Sequence, residues 1–245
     1  MESTTIYVLL VIFVATLIRS AFGFGEALIA VPLLSLRIAV NVAAPLAVLV
    51  SITVAAVILA QDWQKVHLRS TGWLVLSTLF GIPLGLVLLT SANHRLVKAV
   101  LGIVIMAFSA YALVGRRPPM LHTDSRTWLL GCGFVGGILG GAYGMNGPPL
   151  AIYGAMRRWS AEHFRATLQG YFLPASLIGM GGYWLAGLWT PVVTHYYLLS
   201  LTLVLPAIMI GRIINRRIRG ESFLRYVHVG LVLTGAALTG QAIQR

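Results

Sequence analysis

Negative charge is what this chain lacks most. Six acidic residues stand among 245, against 18 lysines and arginines, for a formal net charge of +12. Charged residues of either sign make up only 10% of the chain, too few to clothe a soluble domain of this length in a water-facing surface. Cysteine is almost missing too. Cys132 stands alone, which excludes an internal disulfide, and its glycine-rich apolar setting gives it a packing role. The six histidines are scattered, and there is no HExxH helix, no pair of membrane carboxylates and no serine in a strained glycine turn beside a histidine. Intramembrane hydrolysis and a metal site therefore lack their residues. No enzyme activity, cofactor or metal is expected. The opening residues also lack the basic region and cleavage site of a signal peptide, so they are read as part of the mature protein.

What is present is apolar. Hydrophobic residues form 58% of the chain and the mean hydropathy is +0.87. Runs of about 20 apolar residues, the length that crosses a hydrocarbon core about 30 Å thick, fill the sequence nearly end to end. The chain reads as an all-α integral membrane protein. Its basic residues lie in short loops between apolar runs rather than along one face, which matches orientation in a bilayer and not nucleic-acid binding.

The chain repeats itself. Ser20 to Leu34, SAFGFGEALIAVPLL, aligns without a gap on Gly141 to Ala155, GAYGMNGPPLAIYGA, so that Ala21 falls on Ala142, Gly23 on Gly144 and Phe24 on Met145. Each half continues with three long apolar segments: Asn41 to Ala60, Thr71 to Thr90 and Arg95 to Val114, then His163 to Gly187, His195 to Gly211 and Phe223 to Gln241. Residues 1–114 are the first repeat, 115–126 a proline- and arginine-marked linker, and 127–245 the second repeat, all in one membrane domain.

Charge counting sets the topology. If each glycine-broken region crossed once, the loops holding Arg157, Arg158, Arg212, Arg216 and Arg217 would face outside, against the bias of Lys and Arg to the cytoplasm. If each enters and returns on one side, they join the linker in the cytoplasm and the N-terminus is outside. Ile6 to Ser20 and Glu26 to Leu36, as helices, reach only about 22 and 16 Å, which suits re-entrant or short-helix arms. The expectation is two inverted repeats, each a glycine-broken hairpin plus three transmembrane helices. Two complete, tilted helices per hairpin would give the same charge pattern.

Inverted repeats with broken helices form a transporter architecture, with substrate held where the breaks meet. Each tip precedes a helix start, whose free N–H groups and dipole favour an anion. Gly133, Gly137 and Gly141, at four-residue spacing, read instead as helix-packing positions. Glu26 is the only carboxylate expected inside the membrane. One reading has it satisfy the start of its helix with Arg19 as partner; the other makes it the proton-coupling candidate. Arg165 is either a boundary anchor that snorkels or a holder of the substrate's negative group. Ser51 and Thr53 read as hydroxyls bonded back to their own backbone.

The glycine-rich tip followed by LIAVPLL, the charged loop after the next helix and the second-half FRATL resemble the sulfite exporter (TauE/SafE) family of permeases across nearly the whole chain. The resemblance implies a multi-pass inner (plasma) membrane carrier of sulfur-containing anions such as sulfite or sulfoacetate, working in export. By position it implicates Gly23, Gly25 and Pro32, then Gly144, Gly147 and Pro148, then Arg165 with Thr167. The chain departs from the family where three glycines are usual, reading Gly25, Glu26, Ala27, and where Gly-Thr-Ser is common, reading Ala44, Pro45, Leu46. The candidate substrate-binding set is therefore Gly23, Phe24, Gly25 and Glu26; Tyr143, Gly144, Met145, Asn146, Gly147 and Pro148; and Arg165, Thr167 and Gln169. The expected partners are a small anion and the lipid bilayer, with homo-oligomer formation left open. The rival readings are a channel-like or purely structural membrane protein and, further off, an intramembrane enzyme. A channel would show rings of charge or a repeated filter sequence.

Overall fold

The computed structural model describes residues 2–62, 68–91, 93–114, 120–121, 123, 125–159, 161–217, 229, 232–236 and 238–240. Among them the regular structure is entirely helical: α1 (Glu2–Phe22), α2 (Glu26–Leu34), α3 (Val40–Asp62), α4 (Leu68–Ser91), α5 (His94–Val114), α6 (Arg126–Tyr143), α7 (Gly147–Met156), α8 (Ala161–Leu185) and α9 (Pro191–Arg217). Most of the linker 115–126 and most of the expected last segment, Phe223 to Gln241, lie outside the described residues. The described part of that segment is helical and meets α5, where Gly235 faces Gly102.

Five of the described helices, α1, α3, α4, α5 and α9, are long and apolar enough to cross a membrane. Their outward faces carry Phe80, Val87, Ile103, Leu198 and Met209, all exposed, as lipid contact requires. Each hairpin has one long arm and one short arm. Helix α1 has 21 residues, not the 15 or so expected, and at 1.5 Å per residue reaches about 31 Å. Its polar start, Glu2 to Thr5, continues the helix that hydropathy alone ends at Ile6. Helix α6, with 18 residues, reaches about 27 Å, while the second arms, α2 with 9 residues and α7 with 10, stay short at about 14 and 15 Å.

Each hairpin comes back to where it began. The Tyr7 hydroxyl donates to the Leu33 carbonyl at 2.7 Å, tying the start of α1 to the end of α2, and Arg37 lies over the Tyr7 ring. In the second hairpin Leu121, five residues before α6, donates its amide to Met156 O at the end of α7, and Arg157 Nη1 donates to Leu121 O.

The halves are interlocked. Helix α4 packs along α6, α1 along α9, and α3 along α8 between them. With lipid outside and apolar side chains inside, burial supplies little drive, and close backbone approach has to hold the helices together. Glycines provide it along α4 and α6. Leu74 lies beside Gly133, Thr78 beside Gly137 and Ile82 beside Gly141, so the two helices run parallel with their backbones in contact.

Candidate functional site

The site begins with the turn between α1 and α2. Gly23 and Gly25 hold φ of +88° and +99°, a region other residues reach only with strain. The turn brings Arg19, in the last turn of α1, onto Glu26, the first residue of α2, and the two form a buried ion pair. Each charge also suits the helix end it occupies, a cation at a C-terminus and an anion at an N-terminus. Thr16 Oγ1 donates to Glu26 Oε1 at 2.9 Å.

Other helices close around the pair. Arg19 Nη1 also donates to Ser51 Oγ of α3 at 2.8 Å, and Nη2 donates to Gln169 Oε1 of α8 at 2.8 Å. Gln169 Nε2 donates to the carbonyl of Gly23 at 2.7 Å, and Ser51 meets Ser176 at 3.1 Å. The guanidinium also lies 4.9 Å from the centre of the Phe172 ring. Side chains 150 positions apart in sequence thus share one polar knot inside an apolar bundle.

The second hairpin reaches the same place. Helix α6 ends in a left-handed Gly144, with its amide bonded to Gly140 O and that of Met145 to Leu139 O, a glycine-stopped helix end. The tip then presents Met145, Asn146, Gly147 and Pro148 to a small cavity whose opposite wall is Arg19, Phe24, Gly25, Glu26 and Ser51. Its free volume is about 20 Å³, little more than one water occupies. Pro148 and Pro149 have no N–H, so the first turn of α7 has two fewer backbone donors than that of α2.

Of the residues expected from sequence, Phe24, Gly25, Glu26, Gly144, Met145, Asn146, Gly147 and Pro148 line this cavity. Gly23 and Gln169 stand behind it, joined by their hydrogen bond. Three others are placed elsewhere. Tyr143 turns its hydroxyl to Val97 O on α5, Arg165 lays its stem against Gly23, and Thr167 is buried within α8. Sequence reasoning paired Arg19 with Glu26 but did not count Arg19 among the binding residues, and it missed Phe172 and Ser176. Thr53 bonds back to Leu49 O as expected but also meets the Tyr197 hydroxyl of α9 at 2.7 Å, whereas Ser51 spends its hydroxyl on Arg19 and Ser176.

The sequence model of the sulfite exporter TauE/SafE family matches residues 8–238, nearly the whole chain. The chain belongs to the TauE/SafE family. No curated protein and no solved structure matches it. As a TauE/SafE protein it is a multi-pass membrane protein of a transporter family associated with sulfur-containing anions, not of an enzyme family. Within this TauE/SafE fold, Glu26 is the carboxylate that pairs with Arg19.

Two glycines of this TauE/SafE tip separate backbone strain from crowding. A Cβ on Gly25 meets nothing within 4 Å, so Gly25→Ala is expected to cost only left-handed strain, about 1–2 kcal/mol. A Cβ on Gly23 would lie 3.2 Å from the Arg165 stem, so Gly23→Ala adds crowding to the same strain. Thermal unfolding in detergent should show the larger loss for Gly23→Ala; equal losses would mean that Arg165 yields freely.

Proposed function

We propose that this protein carries a small sulfur oxyanion or organosulfonate, of the sulfite or sulfoacetate kind, across the inner (plasma) membrane by alternating access, in the export direction. The observation that carries the reading is that both hairpin tips line one cavity containing a buried arginine. The proposed scaffold is a pair of inverted repeats, residues 1–114 and 127–245, joined by a cytoplasmic linker at 115–126, with the N-terminus outside. It is supported by the gapless tip alignment, by hydrogen bonds that tie the end of each hairpin to residues near its start, and by reciprocal packing in which α1 meets α9 while α6 meets α4.

The anion sits between the tips, facing the amides at the start of α2 and the positive ends of α2 and α7. The cavity is too small for a sulfonate as it stands, so loading requires the tips to part. Glu26 is the proton-coupling group. Proteoliposomes of the purified protein should take up sulfite or sulfoacetate saturably, faster with acid outside than without a pH gradient. Glu26→Gln should lose the response to the gradient while retaining binding. Flux linear in concentration would indicate a pore, and no flux of any sulfur anion would remove the carrier reading.

A further inference from the structure

We infer that Arg19 is the side chain that holds the transported anion, and that Glu26 links its binding to one proton by sharing the same guanidinium. This rests on the carrier reading above and names within it the anion's ligand and the atoms that take the proton.

A guanidinium has five N–H donors in a fixed fork. Three are occupied, by Glu26, Ser51 and Gln169. The remaining two are on Nε and Nη2, and Nε is buried with no hydrogen-bond partner among the described residues. Arg19 is only 2% exposed and forms part of the wall between the two tips. A buried donor without a partner is costly, so an acceptor placed there is stabilised. Donors held in such a fork match the oxygens of a sulfonate or sulfite, the geometry in which arginine exceeds lysine. The second tip cannot supply an equal donor set, because two of its first three helical residues are prolines.

Glu26 occupies Nη1 of the same group. An anion on the unused donors would place two negative charges on one arginine, away from bulk water, where repulsion is strong. A proton on a Glu26 carboxylate oxygen removes that conflict. Of the other ionisable groups on the surrounding helices, Tyr143 is turned to α5, Tyr171 is bonded to Thr78 of α4, and Arg165 lies with its stem against Gly23. Among the ionisable groups of the described residues, Arg19 is the one bonded to Glu26. With one proton and one monovalent anion aboard, the site has the same net charge as when empty. The coupling is reciprocal: the anion draws in the proton as much as the proton favours the anion.

The test uses methanesulfonate, whose charge does not change with pH, on the full-length protein in detergent under weak buffering. Wild type should take up close to one proton per bound anion at alkaline pH. Its affinity should fall as pH rises. Glu26→Gln should bind without proton uptake, with affinity independent of pH and about tenfold above wild type at the alkaline end. The charge-neutral pair R19Q/E26Q, which leaves no unpaired ion to unfold the bundle, should not bind. Binding by wild type without proton uptake overturns the role of Glu26, and wild-type affinity in the double variant overturns that of Arg19. In either case saturable sulfonate flux by wild type would leave the carrier reading standing. Absence of both binding and flux for methanesulfonate, sulfite and sulfoacetate would overturn both.

Discussion

Arg19→Gln alone is expected to destabilise the protein by about 3–5 kcal/mol, the cost of breaking a buried ion pair from one side. The carboxylate left behind has little else: within 2% exposure, its remaining side-chain hydrogen bond comes from Thr16. Glu26→Gln should cost less, because Arg19 keeps Ser51, Gln169 and the face of Phe172. Replacing both with glutamine removes the orphaned charge, and R19Q/E26Q should recover most of what Arg19→Gln loses, since a neutral replacement of a buried pair is often tolerated. Thermal unfolding of the four proteins in one detergent forms a double-mutant cycle. Additive losses would show that the two side chains do not act as a pair.

The second large effect is expected on the seam between α4 and α6. A Cβ on Gly85 would lie 2.1 Å from the Ile138 carbonyl oxygen, and one on Gly81 would lie 2.2 Å from that of Phe134. Carbon and oxygen in contact sit at about 3.3 Å, so the helices would have to separate by roughly 1 Å along the seam. Backbone cannot rotate out of the way as a side chain can. Gly85→Val should therefore leave little folded protein in the membrane fraction, beyond the usual overpacking cost of about 1–3 kcal/mol. Gly131→Ala on α6, the partner helix of the seam, is the control: its Cβ meets nothing within 4 Å, and it should gain up to about 1 kcal/mol in helix propensity. Normal accumulation of Gly85→Val would mean that the seam can open without loss of the fold.

These two sites differ in how far they were readable in advance. Gly133, Gly137 and Gly141 announce a packing face by their spacing, but nothing near them says that the partner is α4. Likewise, Gly23, Gly25 and Glu26 mark a break and a charge, yet Ser51, Gln169, Phe172 and Ser176 sit in long apolar segments that look alike.

By itself the sequence determined the class of the protein, the approximate positions of most of the described helices, the two glycine breaks and the single membrane carboxylate. Each is written in local terms: the length of an apolar run, a residue that tolerates positive φ, a charge where hydrocarbon surrounds it. Only the tertiary structure decided which faces meet. Helix α3, apolar almost throughout from Val40 to Ala60, has no polar side to turn outward, so periodicity cannot say which of its residues look inward. That choice, made by close packing between distant segments, set Arg19 against Glu26, Ser51 and Gln169 and turned Tyr143 away.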